Sequence, residues 1–577
     1  MKLTGAQALV RCLAAEQVGF AFGIASGKLT PLLHALSQTP SIRFVGLRHE
    51  ATGPMMAAAV YASTGKVAIA LGEMGPGGLN MAAGAGVAFN NNLPAVLITT
   101  NQHRAAAYPH RGMFMDMDTR SVLAPLTKWN VVVSDGRRIP ELVRTAFREA
   151  LSGRPGPVHL DFPQDVLSGT AEYADDEFDI PSSRYRATTG PRPSASALAD
   201  AVQILQVAQR PLIVAGGGVV RADAQALVRS LAARLNAPVV PTQMALGVVT
   251  SDSPHFIGHG GLISGDAVRA AFEAADVVLS IGCRYSSWMW DEHGPFTRRS
   301  HRHVNINIDP AAVGAPALHE VGIVADAHEA LVDLLAALDA GPAATTSSDW
   351  LGSMRERRAQ YEAKLQGMTE DRTAPMHPAA LADAIGKTIP AESLAVFDGG
   401  HTTFWSNDLT PVHEVRRQFH DPGMCQLGFG LPYALALQLT HPEKPVFNIV
   451  GDGAFGFSLQ ELDTARRYAL PVVNVIHNNE AWGIIRHGQK MQFDFEHATS
   501  LAGTDYAAIA RGFGCHGETV TRPEEVAGAI ERALASGLPS VIDCRCRFVP
   551  HPSMPAFGSM NRFSFDSALG IPTRPGH

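Results

Sequence analysis

The residue types best suited to chemistry fall between 444 and 485, KPVFNIVGDGAFGFSLQELDTARRYALPVVNVIHNNEAWGII. Asp452 lies in Gly451-Asp452-Gly453, and Asn478, Asn479 and Glu480 follow downstream. A carboxylate, an amide oxygen and a backbone carbonyl are hard oxygen ligands. They suit a magnesium ion that completes its octahedron with waters and two phosphate oxygens. The glycines would let backbone N–H groups approach those phosphates.

The surrounding elements must bring these groups together. Val446 to Val450 is a short apolar run that reads as a buried parallel strand. Ser458 and Glu461 have capping-box spacing and are expected to start a helix, with Leu459, Leu462 and Ala465 at helical intervals behind it. Pro471 ends it, and Val472 to Ile476 forms the next strand. Asp452 and Asn479 then share the carboxyl edge of neighbouring parallel strands, where ligands of α/β sheets bind.

The rest of the chain has the same plan. Its 577 residues are enough for three domains, and 46% apolar against 18% charged residues argues for large cores. Strands are expected near Val18–Phe22, Arg43–Leu47, Lys66–Leu71 and Ala95–Thr99. Further ones are expected at Pro211–Ala215, Ala275–Ile281 and His303–Ile308, with helical stretches between. Stretches 180–195 and 341–349 read as linkers. The fold class is therefore α/β, with three doubly wound parallel-sheet domains at 1–178, 190–342 and 370–550. Residues 551–577, rich in Pro and Phe, form a tail that could close as a lid or dock on the surface.

The formal net charge of −7 excludes a basic nucleic-acid binder. No apolar run reaches the length of a membrane span, and the first twenty residues make a poor signal peptide, so a cytoplasmic protein is expected. Six scattered cysteines form no secreted framework. Cys544 and Cys546 are expected on opposite faces of a strand, which leaves no metal pair there.

A second carboxylate, Glu50 in LRHE, follows the second expected strand, and GEMGPGGLNMAAGAGVAFNNNLPAVLITTNQ lies downstream of it. Together with Gly-Asp-Gly and Asn-Asn, this pattern resembles the thiamine diphosphate-dependent enzymes that include acetolactate synthase, benzoylformate decarboxylase and 2-hydroxyacyl-CoA lyase. The resemblance covers residues 3–550. It implies a pyrimidine-binding domain, a central domain and a diphosphate-binding domain. It implies Glu50 bonded to the cofactor's pyrimidine N1′, which sets up acid–base chemistry within the cofactor. Leu427 in GMCQLGFGLPYALA would wedge the two rings, and the Cys425 carbonyl would accept the 4′-amine. Gly400, His401 and Thr402, with Gly451, Gly453, Ala454 and Phe455, would meet the diphosphate. Asp452, Asn479 and the Ala481 carbonyl would hold Mg2+, with Trp482 and Gly483 beside them.

The resemblance also implies a homodimer or homotetramer in which Glu50 caps the cofactor of another subunit. Gly27, Gln102, His103, Phe114, Met115, Glu480 and His487 are candidates for the substrate side, with Glu480 a proton donor or acceptor. His110 is a further histidine in the same group. The central domain, with Gly216 to Gly218, Arg284 and Asp309, could hold FAD or an ADP or CoA nucleotide. The expected activity is decarboxylation of a 2-oxoacid with carboligation. Met115 and Gln164 replace the Gln and Lys of acetolactate synthases and weaken a housekeeping role. The alternatives are a 2-hydroxyacyl-CoA lyase, acting on an acyl-CoA to release formyl-CoA and an aldehyde or ketone, and a cofactor-binding regulator without turnover.

Overall fold

The structure is a computed structural model that describes residues 1–107, 111–261, 263–286, 288–289, 301–314, 318–342 and 345–554. His110 and residues 555–577 of the expected lid lie outside these.

Three parallel sheets organise the chain. The first runs, in spatial order, through Arg43–Gly46, Phe20–Gly23, Ile69–Gly72, Val96–Asn101, Val158–Pro163 and Trp129–Val132. The second runs through Val239–Pro241, Pro211–Ala215, Val277–Ile281, Arg302–Asn307 and Val321–Val324. The third runs through Gln418–Phe419, Leu394–Asp398, Val446–Gly451, Val473–Asn478, Ser540–Arg545 and His516–Val520. Numbered within each sheet in chain order, the first and third share the arrangement 2-1-3-4-6-5. Equivalent strand ends in these two sheets therefore carry equivalent loops. Parallel strands covered on both faces need continuous apolar runs, and Val446 to Val450 and Val96 to Ile98 are buried throughout.

The first and third sheets are joined by one apolar core. Helix Thr52–Thr64 packs against helix Gly430–Thr440, and nearly every residue of both is buried. A helix apolar on all sides must lie between layers, which is where these two sit. Their Met56, Val60, Leu435 and Leu437 belong to the same cluster as Phe22, Leu97, Val450 and Phe455.

Three local expectations are corrected. The strands expected from Val18 and Lys66 begin at Phe20 and Ile69, and Gln17 is held in a left-handed turn just before the first. The capping box does not form: Ser458 makes no cap bond, and a single 3-10 turn, Leu459–Glu461, precedes the short helix Leu462–Arg467. Glu461 instead reaches across to the first sheet, accepting from the backbone N–H groups of Arg48 and His49, both at 3.1 Å. Cys544 and Cys546 share one apolar cluster, because residues two apart on a strand point to the same face.

Among the described residues, no helix is long and apolar enough to cross a membrane.

Candidate active site

Strands Val446–Gly451 and Val473–Asn478 are parallel neighbours, with Gly451 opposite His477. Asp452 and Asn479 therefore leave the sheet side by side. A cavity of about 360 Å³ opens at this edge. Its lining joins four loops of the third sheet: Gly399–Phe404, His420–Leu427 without Gly423 and Met424, Gly451–Ala454, and Asn479–Ile485 without Glu480. Gln243, Ile263 and Trp288 of the central domain add to the wall.

The polar groups of this cavity are incompletely paired. Asp452 is 4% exposed; its Oδ1 accepts from Gly453 N at 2.9 Å, while its Oδ2 is buried without a hydrogen-bond partner among the described residues. Burial pushes the Asp452 carboxyl up to about 6, although the N–H groups of Gly453, Glu480 and Ala481 pull it back. A buried carboxylate oxygen left bare is costly unless a cation or proton meets it. Asn479 Oδ1 accepts from Ala481 N at 3.1 Å, which folds the following turn and keeps the amide at the cavity.

His401 starts helix His401–Leu409 and is buried. Its Nδ1 faces the backbone N–H of His551 at 3.4 Å, which places the ring proton on Nε2. Nε2 has no hydrogen-bond partner among the described residues, and burial holds the imidazole neutral by lowering its pKa to about 3. His401 and Asp452 thus bring an N–H donor and a carboxylate oxygen, both unpaired among the described residues, to one cavity. Gly453 provides the room: a Cβ there would lie 2.4 Å from the Trp482 ring.

Leu427 is half-buried in the cavity wall. Its turn is set by Asp398, a residue that sequence reasoning missed. Asp398 Oδ2 accepts from Gly428 N at 3.0 Å and Gly430 N at 2.9 Å. Gly428 has φ +86, and Cys425 has φ +53 just before it. The signal was present in Asp398-Gly399-Gly400 at a strand end, where only the glycines were read. Asp421 likewise organises the preceding loop, accepting from Met424 N and Gln426 N.

The other expected residues lie elsewhere in the chain. Glu50, Gln102, His103 and Phe114 belong to the carboxyl edge of the first sheet and do not line this cavity. Glu50 Oε2 accepts from Asn80 Nδ2 at 2.9 Å. Gln102 is buried, its Nε2 donating to Phe114 O at 2.8 Å, while the Phe114 side chain is 82% exposed and His103 is exposed. Glu480 also stays out of the cavity lining. It has φ +55, and its carboxylate pairs with Arg545 at 3.2 Å. His487 lies near His401, with ring centroids 6.3 Å apart.

A fold of three such domains, with an unpaired carboxylate oxygen, an imidazole N–H and an apolar turn around one cavity, defines a site for a diphosphate-bearing cofactor. Three domain families match in succession: Thiamine pyrophosphate enzyme, N-terminal TPP binding domain, over residues 3–122; its central domain over 198–334; and its C-terminal TPP binding domain over 398–544. The chain belongs to the thiamine pyrophosphate enzymes. It is 30% identical to the acetolactate synthase large subunit of Corynebacterium glutamicum over 552 residues, covering 94% of this chain and 86% of that one. It is 28% identical to a probable acetolactate synthase large subunit of Methanococcus aeolicus, covering 94% and 92%. It is also 28% identical to glyoxylate carboligase of Escherichia coli O157:H7, covering 92% and 91%.

Proposed function

We propose that the protein is an acetolactate synthase-like decarboxylase and carboligase acting on 2-oxoacids. The observation that carries this is the cavity at Asp452, Asn479 and Leu427, in a chain that resembles acetolactate synthase and glyoxylate carboligase along most of its length. Bound thiamine diphosphate supplies a nucleophilic carbon for a carbonyl and an electron sink for the bond that breaks.

The chain's own groups then have distinct tasks. Asp452 Oδ2, Asn479 and the Ala481 carbonyl hold Mg2+; the bare buried oxygen of Asp452 supports this. His401 Nε2 and the backbone of Gly453 to Phe455 bind the diphosphate, with Gly400, Thr402, Gly451, Trp482 and Gly483 closing around it. Leu427 would stand between the cofactor's rings, and the Cys425 carbonyl would accept its amine. Glu50 would hydrogen-bond the pyrimidine and set up its acid–base chemistry.

One chain does not complete this site, because Glu50 is absent from the cavity lining. A homodimer, alone or paired into a tetramer, brings the Glu50 edge of one copy to the cavity of the other. The apolar side chains exposed on or near the Glu50 edge, Leu79, Met113, Phe114 and Met117, support that docking.

The central domain holds a nucleotide diphosphate, as FAD or an ADP or CoA nucleotide. A cavity of about 230 Å³ lies between Gly216–Gly218, Arg221, Arg284 and Asp309. The Arg221 and Arg284 guanidiniums donate to the Asn91 and Asn90 carbonyls and have no carboxylate partner among the described residues. Two such cations await an anion.

The domain limits 1–178, 190–342 and 370–550 are supported by each parallel sheet closing within one segment. Six unpaired cysteines, five of them buried, support a reducing, cytoplasmic setting.

Incubation with pyruvate, benzoylformate and a 2-hydroxyacyl-CoA, with thiamine diphosphate and Mg2+, tests the activity by mass spectrometry of products. Carboligation products from pyruvate are expected. Formyl-CoA release without any product from the oxoacids would replace this reading by the lyase. Absorbance of the purified protein and chromatography of the nucleotide it releases decide the central site.

A further inference from the structure

The first sheet presents four neighbouring strand ends at one edge. In spatial order they carry Glu50 after Arg43–Gly46, Lys28 after Phe20–Gly23, Glu73 after Ile69–Gly72, and Gln102 after Val96–Asn101. Gly23 is paired with Gly46, so the Lys28 and Glu50 loops start side by side. In the third sheet, which has the same strand order, the corresponding ends carry Leu427, His401, Asp452 and Asn479. Lys28 thus stands where His401 stands in the opposite half of the site.

Lys28 is built into this edge. The buried carboxylate of Glu73 accepts its backbone N–H, at 3.3 Å to each oxygen, and so fixes the loop. Its ammonium donates to Gln102 Oε1 at 3.0 Å. Gln102 is itself fixed, its Nε2 by Phe114 O and its backbone N–H by Asn101 Oδ1 at 2.8 Å. No carboxylate lies within ion-pairing distance of the ammonium among the described residues. Gly27, next to it, has open space where a side chain would stand. A half-buried ammonium with one amide partner retains two donors for an anion.

We propose that Lys28 binds the carboxylate of the acceptor substrate and selects 2-oxoacid over neutral aldehyde acceptors. This rests on the carboligase reading above, with Glu50 and Lys28 entering the site of a second copy together. The acceptor's carboxylate is the better partner than the donor's. A cation on the carboxylate that leaves as CO2 stabilises the ground state more than the transition state, where that charge is being lost, and so slows the step. The acceptor keeps its carboxylate, so a cation there binds substrate and transition state alike. Recognition at Lys28 therefore adds acceptor specificity without opposing the loss of CO2.

The test uses holoenzyme with pyruvate as donor and either 2-oxobutanoate or acetaldehyde as acceptor. The readout is the ratio of kcat/KM for the two acceptors. In Lys28→Met the preference for 2-oxobutanoate should fall roughly 10- to 100-fold, the weight of one charge-assisted hydrogen bond. Lys28→Arg should restore most of it. An unchanged ratio in Lys28→Met overturns the proposal, as does an equal loss for both acceptors.

Calorimetric titration of oxamate, an unreactive anion of pyruvate's shape, gives an answer independent of turnover. Weaker binding by about tenfold or more in Lys28→Met supports the assignment, and equal binding overturns it. Absence of product from every oxoacid in the wild-type enzyme would instead refute the carboligase reading, while oxamate would still test the lysine.

Discussion

Glu461 accepts the backbone N–H of His49 at 3.1 Å, one residue before Glu50. The same carboxylate accepts from Arg48 N at 3.1 Å, Thr52 Oγ1 at 2.9 Å and Thr464 Oγ1 at 2.6 Å. It lies fully buried, and burial pushes its pKa above the usual range despite these donors. One side chain of the third domain thereby fixes the loop that carries Glu50 of the first.

Glu461→Gln should therefore weaken both stability and catalysis. An amide keeps the shape, but its NH2 turns a donor toward other donors. Leaving one buried donor unpaired costs about 1–3 kcal/mol, to be read by urea unfolding. The kcat should fall more than KM rises, because the loop positions Glu50 rather than substrate. An unchanged kcat would dissociate the Glu461 network from Glu50.

Glu50→Gln tests the acid–base role directly. The hydrogen bond its carboxylate accepts from Asn80 can be accepted equally by the amide oxygen, so the unfolding temperature should be unchanged. Turnover should fall by about 10²–10⁴-fold, the usual weight of general acid–base catalysis. Wild-type-like rates would refute the assignment.

Removal of the metal should release the cofactor without unfolding the chain. With Mg2+, thiamine diphosphate at a hundredfold excess over its Kd should stabilise the protein by about 2.7 kcal/mol. Chelation, or Asp452→Ala, should abolish that gain in a thermal-shift measurement. Retention of the full shift after chelation would show that the diphosphate binds without a metal bridge.

Asp398 gives a pH signature of the cofactor-free protein. Burial pushes its carboxyl up to about 7, so the folded chain keeps a proton that the unfolded chain releases above about pH 4. The stability this group contributes is complete at low pH and is lost as pH rises toward 7. Asp398→Asn removes the titration. The unfolding temperature of the wild type relative to that variant should fall between about pH 4 and 7 and level off above, and parallel curves would exclude a buried, protonated Asp398.

Much of the architecture was legible because parallel strands and their loops leave short-range signals. Val446 to Val450 is apolar without a break, and Gly-Asp-Gly and Asn-Asn mark the ends of adjacent strands. Glu461 was misread for the same local reason: its spacing from Ser458 is that of a helix cap. Its real partners, Arg48, His49 and Thr52, are about four hundred residues away, and periodicity carries no information at that range.

The sequence by itself determined the three α/β units and the carboxylate and amide at the cavity, because each follows from residue type next to a strand end; the cofactor class and the part of His401 followed from the resemblance to a known family. Only the tertiary structure decided which loops share a sheet edge. It placed Lys28 beside the Glu50 loop, withdrew Glu480 to Arg545, and separated Glu50 from the cavity of its own chain. Strand order and hydrogen bonds between distant segments set those relations, and they arise only when the sheets pack.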